Sequence, residues 1–363
     1  MKLLPKKAAI LDYSRCNARC NHCSRSAITV TDGISDEKIL ESIEYFKAHK
    51  VKSFHFSGRE PILNPRIYDF IECAADIDNK GKPTRHVGIA TNGFWGNEAE
   101  KRLIEFYQTG VRKITLSLDG IGKTHDEIRS FPGLYTRAMN IIENAVAFKK
   151  KVDDFIKLTV NVTAQKKNVN ELETLVKYLS ARLPEEFSTV LAFTTRYGRG
   201  ANIKLAPEEI KKVNSVKTWL QGEKRNLNPY YFSFEKYEQD PSCPNYNKDF
   251  KRINLSTDGS VYFCPTLFVP YAVTLGNIRE ENLEFVLADY EKSRFYALFV
   301  NPDGKEKKRF LRKLDYSRYN GIRWSNKCLP CTILNTFVYF LEQGLATKQA
   351  NDMAEKIAKG IRI

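Results

Sequence analysis

The 363-residue sequence predicts an α/β fold, a partial (βα)6 barrel followed by a smaller, cysteine-rich C-terminal domain. Through about the first 200 residues, short β-rich apolar runs alternate with amphipathic helical patterns, the signature of repeated strand-helix units and a parallel sheet. Six such strands are too few for a closed eight-stranded barrel and suit an open one. Beyond about residue 200 the alternation stops and an aromatic, turn-rich segment begins.

The strands read in order as AAILDY (8–13), SFHFSG (53–58), HVGIATN (86–92), KITLSLDG (113–120), IKLTVNVT (156–163) and STVLAF (188–193). Helical stretches lie between them. In SDEKILESIEYFKAH, Ser35 followed by Glu37 and Lys38 supplies a cap and first turn before apolar residues at helical spacing, and ELETLVKYLSARL is a second example. Such folds place their chemistry at the carboxyl ends of the strands, where the unusual loops of this chain also fall. Next come a helical APEEIKKVNSVKTWL, the turn-rich NLNPYYFSFEKYEQDPSCPNY, a hairpin-like INLSTDGSVYFCP and a final helical tail. The expected division is a barrel over 1–205, a linker over 206–235, the cysteine-rich domain over 236–335 and a helical tail over 336–363.

Hydrophobic residues make up 42% of the chain, yet no stretch reaches the ~18 to 20 consecutive apolar residues that span a bilayer. The opening MKLLPKKAAILDY lacks both the apolar core and the cleavage site of a secretory signal, so a cytoplasmic location and free thiols are expected. The formal net charge is +15, from 58 Lys and Arg against 43 Asp and Glu, which favours an acidic partner such as a peptide, a phosphorylated small molecule or RNA. Runs such as FKKKVDDFIK and KEKKRFLRK also carry helical apolar spacing, which favours solvated helix faces as their explanation.

The eight cysteines are grouped. RCNARCNHCSR sets Cys16, Cys20 and Cys23 in one loop after the first strand. A structural zinc ion wants four ligands, and the nearest fourth, His22, has its neighbour Cys23 at the same corner of the loop. A 4Fe-4S cluster held by three thiolates leaves one iron open to a substrate or cofactor, so three cysteines without a fourth make chemical sense there.

This C-x3-C-x2-C spacing resembles the radical S-adenosylmethionine (radical SAM) superfamily. The resemblance implies that the open iron chelates the amino and carboxylate groups of SAM. An electron from the cluster would then cleave SAM to methionine and a 5'-deoxyadenosyl radical. A flavodoxin- or ferredoxin-like electron donor is the partner this implies. Further motifs follow in order at successive strand ends. FSGREP (56–61), with Ser57, Gly58 and Glu60, is similar to the family's G-G-E-P turn that binds the SAM amino group, with Arg59 replacing the second glycine. That departure admits two readings, a tolerated turn residue or a guanidinium directed at an anionic group. TNG (91–93) brings Thr91 and Asn92, and SLDG (117–120) brings Ser117 and Asp119, residues that the resemblance places near SAM; HDEIR (125–129) follows. Each of these alone is a strand followed by a turn, and their order carries the weight.

His55 and His86, within strands, read as core or lining histidines. Cys73, in the helical FIECAADI, reads first as a small buried residue. It is also the only thiol outside the two metal groups, so it is the candidate hydrogen donor if the reaction is an epimerisation.

The second group, Cys243, Cys264, Cys328 and Cys331, fits one closed four-thiol site. Its order, Cys243, Gly259, Cys264 and then C-x2-C, resembles the opening of the SPASM extension of radical SAM enzymes, which carries auxiliary iron-sulfur clusters. A full SPASM pattern has three more cysteines after its C-x2-C and this sequence has none, so one auxiliary 4Fe-4S cluster is expected, with a structural zinc as the alternative. The leading functional expectation is maturation of a ribosomally synthesised peptide by crosslinking, oxidation or epimerisation. Dehydrogenation or epimerisation of a small molecule such as a sugar or aminoglycoside is second. A nucleic-acid partner is disfavoured, since no aromatic-basic RNA module is evident. A non-catalytic metal scaffold is disfavoured by the conjunction of the three-cysteine loop with the Gly58 turn. The chain begins almost at its first strand, which leaves no room for an N-terminal peptide-recognition module, so a shallow groove is expected to hold a peptide.

Overall fold

Parallel neighbours in a sheet need long crossovers, and the helical segments of the sequence supply them. The strands are β1 (Lys7–Tyr13), β2 (Ser53–Gly58), β3 (His86–Thr91), β4 (Val111–Ser117), β5 (Lys157–Ala164) and β6 (Ser188–Phe193). Each lies parallel beside its successor, in the sheet order β6-β5-β4-β3-β2-β1. The crossovers are α1 (Asp36–Ala48), α2 (Ile67–Ala75), α3 (Ala99–Gln108), the pair α4 (Lys123–Arg129) and α5 (Leu134–Lys151), and α6 (Leu172–Ser180), with α7 (Pro207–Leu220) after β6. This computed structural model describes residues 7–13, 15–27, 33–194, 198–220, 222, 252–262, 272–288, 290–299, 305–319 and 328–359.

Local rules account for these elements. The Ser35 hydroxyl caps α1 by accepting from the Lys38 amide at 3.3 Å, with Asp36 and Glu37 in the first turn. Ile39, Ile43 and Phe46 then recur at helical spacing and are buried against the sheet. In α6, Leu172, Leu175, Val176 and Leu179 do the same. Phe54, Phe56, Ile89, Ile114, Leu116, Leu158, Val160 and Val162 form the sheet's buried contribution to the core.

The boundary of β4 differs from the expected 113–120. Val111 already pairs with Val87, and the strand ends at Ser117. The Leu118 amide still donates to the Asn161 carbonyl at 3.0 Å, and beyond it the Asp119 carboxylate accepts from the Thr163 amide, 2.7 Å away.

The hairpin expected in a separate unit joins this sheet. β7 (Ile253–Leu255) runs parallel to β1, Ala8 opposite Ile253, while β8 (Ser260–Tyr262) and β9 (Gly276–Asn277) extend the sheet antiparallel. The hairpin covers the otherwise open edge of β1. The remaining helices are α8 (Leu283–Ala288), α9 (Arg294–Phe299), α10 (Lys305–Leu311), α11 (Cys328–Glu342) and α12 (Thr347–Lys359). Ile333, Leu334, Phe337 and Val338 of α11 are buried in one core that extends from Ala8 to Ala358. Among the described residues, no helix is long and apolar enough to cross a membrane.

His55 packs beneath Gly88, where an added Cβ would lie 2.7 Å from its Nδ1, and burial lowers its pKa to about 4. His86, the first residue of β3, is exposed and belongs neither to the core nor to the cavity described below.

Gly96 fixes the approach of the turn after β3 to α5. A Cβ there would lie 2.0 Å from the Arg137 carbonyl oxygen, a backbone atom that cannot swing away. Gly96→Ala is therefore expected to cost on the order of 1–3 kcal/mol, read as a lower urea midpoint. Gly133→Ala, in the left-handed region at φ 77 and ψ 5 with nothing within 4 Å, should cost about 1 kcal/mol of backbone strain and less than Gly96→Ala. Equal midpoints for the two variants would refute the steric account.

Candidate functional site

The loop after β1 carries Cys16, Cys20 and Cys23, and contacts from distant parts of the chain fix its shape. The Cys23 amide donates to the Cys20 carbonyl at 3.3 Å, and the Asn21 amide to the Ile128 carbonyl at 3.0 Å. From the far edge of the sheet, the Arg199 amide donates to the Cys23 carbonyl and to the Ser26 hydroxyl, and Arg199 Nε to the Cys20 carbonyl at 2.7 Å. Gly198 makes this approach possible. It sits at φ 62, and a Cβ would lie 2.5 Å from the Cys23 carbonyl oxygen.

Donors point at the sulfurs. The Ala18 amide lies 3.5 Å and Asn92 Nδ2 3.9 Å from Cys16 Sγ, and Arg129 Nη1 lies 3.6 Å from Cys20 Sγ. Burial pushes the Cys16 thiol up to about 11 and raises that of Cys20, so these groups need cationic partners to exist as thiolates. Among the described residues, no three His, Cys, Asp or Glu side chains converge as the ligands of a single ion would. Thiolates set around a cavity and fed by N–H donors suit a polynuclear cluster, whose irons hold their ligands at separate corners. The residues present therefore fit a 4Fe-4S group.

After β2, Gly58 adopts φ 127, a conformation that favours glycine. Glu60 turns inward, completely buried. Its Oε1 accepts from the Thr91 hydroxyl at 2.9 Å and its Oε2 from the Asn92 amide at 2.7 Å. Burial pushes its carboxyl up to about 7. Asn92 Nδ2 in turn donates to Asn17 Oδ1 at 2.8 Å, tying the third strand's turn to the cysteine loop.

A second buried carboxylate follows β4. Asp119 pairs with Arg129 at 2.6 Å and accepts from the Thr163 amide, and His22 Nε2 lies 3.6 Å away. Burial works to raise the Asp119 carboxyl, and Arg129 with His22 overcomes it, holding the group below the usual carboxylate range. Burial lowers His22 to about 4, and Gln165 Nε2 lies 3.2 Å from its Nδ1. Asn168 braces the same corner, donating to the carbonyls of Asp119 and Thr163.

These elements enclose a cavity of about 680 Å³ at the carboxyl ends of the strands. Cys16, Cys20, Cys23, Gly58, Thr91, Asn92 and Ser117 line it, as do Arg59, Asn161, Thr163 and Arg199. Ser57, Glu60 and Asp119 are not on its wall. Glu60 and Asp119 act on it indirectly, by holding Asn92 and Arg129. Cys73 is elsewhere: on α2 its Sγ lies 3.1 Å from Glu44 of α1, and burial and that carboxylate push it up to about 12. Cys73 is thus not among the residues that line the cavity. Cys243 and Cys264 lie outside the described residues, as does the side chain of Cys328, while Cys331 is half-buried on α11. Sequence reasoning missed Arg199, Gln165 and Asn168. The only local trace of the first is the pair of glycines, Gly198 and Gly200, that flank it.

Residues 10–179 match the sequence model of the radical SAM superfamily, so the chain carries a radical SAM superfamily domain. Two curated relatives narrow the comparison. The sporulation killing factor maturation protein SkfB of Bacillus subtilis is 23% identical over 292 residues, covering 77% of this chain and 64% of that protein. Fe-coproporphyrin III synthase of Methanosarcina barkeri is 28% identical over 203 residues, covering 55% of this chain and 47% of that protein. The chain thus spans less than two thirds of the length of either. Among solved structures, Streptococcus suis SuiB bound to its precursor peptide SuiA matches with a TM-score of 0.55 at 15% identity, over 99% of this chain and 75% of that one, a likeness of fold.

The ion pair yields a test. Arg129→Gln leaves Asp119 charged and buried and should cost about 3–5 kcal/mol, measured by chemical unfolding. Adding Asp119→Asn should recover part of the loss; equal destabilisation in the single and double variants would show that the pair carries no such coupling.

Proposed function

We propose that this protein is a SAM-dependent radical enzyme that matures a ribosomally synthesised peptide by crosslinking, oxidation or epimerisation. The observation that carries the reading is the cavity itself. Cys16, Cys20 and Cys23 line a cavity of about 680 Å³ together with the polar strand ends Thr91, Asn92 and Ser117. A 4Fe-4S cluster on the three thiolates with SAM beside it would supply a deoxyadenosyl radical able to take hydrogen from an unactivated C–H bond. This chain's residues would do the positioning. Gly58 leaves room beside its backbone, Thr91, Asn92 and Ser117 offer hydrogen bonds to SAM, and Glu60 and Asp119 keep the surrounding turns in place. The N–H donors on Cys16 and Cys20 would tune the cluster.

A peptide substrate is supported by two comparisons: SkfB is named as a maturation protein, and SuiB shares the fold while holding a precursor peptide. Cys243, Cys264, Cys328 and Cys331 are proposed to hold one auxiliary 4Fe-4S cluster, with zinc as the competing occupant. A flavodoxin- or ferredoxin-like protein is the proposed electron donor, and the cytoplasm the proposed location.

The reading predicts that anaerobic reconstitution with iron and sulfide gives a cluster whose electron paramagnetic resonance changes on adding SAM. It also predicts that 5'-deoxyadenosine forms with wild type and not with the triple alanine variant of Cys16, Cys20 and Cys23. Iron retained by the triple variant would count the auxiliary cluster. Zinc at both cysteine groups without a SAM-sensitive signal would sink the enzyme reading.

A further inference from the structure

The cavity wall is basic to an extent that its cofactors do not explain. Arg19, Arg25, Arg59, Arg129 and Arg199 all line it, and among the described residues no Asp or Glu does. Arg129 is neutralised by Asp119 behind the wall. Arg19, in the loop between Cys16 and Cys20, and Arg199, after β6, have no carboxylate partner among the described residues. Arg199 is also held in place: its amide donates to the Cys23 carbonyl and Ser26 hydroxyl, and its Nε to the Cys20 carbonyl. Its terminal nitrogens, without a partner among the described residues, form a planar fork suited to a carboxylate. Arg59 stands where the resembling turn has glycine, so it is an addition that the turn does not need. It lines the same wall with its Nη2 3.4 Å from the Arg25 carbonyl.

A cubane with three thiolates and its SAM together carry about one to two negative charges. Arg19 and Arg199, two guanidinium groups without carboxylates among the described residues, match or exceed that charge and focus a positive potential in the cleft. We propose that this cavity recognises a carboxylate of the peptide substrate, an Asp or Glu side chain next to the residue that reacts, with Arg19 and Arg199 as its principal partners. The inference rests on the peptide reading given above and supplies the substrate feature which that reading lacks.

The test uses the reconstituted full-length protein with SAM and two neutral-dye-labelled probes, Ala-Glu-Glu-Ala and Ala-Gln-Gln-Ala, followed by fluorescence anisotropy. The glutamate probe should bind at least roughly tenfold tighter than the glutamine probe. Arg19→Gln with Arg199→Gln should abolish that preference, whereas Lys150→Gln on the outer face of α5 should leave it intact. Arg199→Lys, which keeps the charge and loses the fork, should weaken only the glutamate probe; this variant decides the matter if the glutamine variants fail to retain iron. Equal affinity for the two probes, or a preference that survives in the double variant, overturns the proposal. So does loss of the SAM-induced resonance change in an iron-replete double variant, because the arginines would then serve the carboxylate of SAM. If wild type discriminates between the probes and shows no SAM-induced change, acid recognition stands and the radical SAM reading fails.

Discussion

The arrangement around the cavity depends on one ion pair taken out of water. Asp119 is completely buried and Arg129 nearly so, and removing each charge from solvent costs several kcal/mol. Attraction at 2.6 Å and the Thr163 amide offset that cost, and the geometry they impose is passed on. Because Asp119 fixes the guanidinium, a second nitrogen of Arg129 stands 3.6 Å from Cys20 Sγ. The carbonyl of Ile128, one residue earlier, receives the Asn21 amide. The short helix α4 thereby serves as a clamp on the cysteine loop. Among its described residues that loop has only a turn closed by the Cys23 amide on the Cys20 carbonyl and a short 3-10 turn at Ser24–Ala27, so the contacts from outside do much to set its shape.

Glu60 is a second buried carboxylate that holds loops together, through hydrogen bonds and not an ion pair. Its carboxylate joins the loop after β2 to the turn after β3, and Glu171 likewise accepts from the Ile121 amide and the Thr124 hydroxyl across the base of α4. Parallel strands end in loops that have no ladder to hold them, so carboxylates linking neighbouring loops, Glu60 fully buried and Glu171 half-buried, supply the missing constraint. The most recognisable acidic residues of the sequence are accordingly braces, and the smaller polar side chains Thr91, Asn92 and Ser117 reach the cavity in their place.

This division explains what could be read in advance. The second and sixth strands stand at 53–58 and 188–193 as their apolar runs indicate, and α1 begins at its Ser35 cap, because short-range periodicity and capping decide those elements. The cysteine loop was legible as chemistry, since no packing argument calls for three thiols in eight residues. Relations between distant segments were not legible. The contact of Gly198 with the Cys23 carbonyl joins the segments after β6 and β1, five positions apart in the sheet order, and nothing near YGRG in the sequence announces that pairing. The hairpin at 253–262 was recognisable as a hairpin, while its place beside β1 follows from an edge that only the assembled sheet exposes. Cys73 illustrates the converse: elimination among thiols singled it out, and it is not among the residues that line the cavity.

Net charge of +15 is a poor guide to partners until it is divided by location. On the helix surfaces many basic residues are matched within a turn, as in Lys47 with Glu44, Arg66 with Asp69, Arg102 with Glu98 and Lys177 with Glu173. Such exposed pairs are worth about 0.2–1 kcal/mol each and are weakened further by salt, so they shape solubility more than recognition. The cavity reverses this pattern. Its arginines come from the segments after β1, β2, β4 and β6, and the buried acids Glu60 and Asp119 are turned away into the core to hold the frame. Folding requires those carboxylates to be spent on loop geometry, and the wall they leave behind is basic as a consequence. A site framed in this way has its electrostatic preference built in by the same bonds that hold its loops.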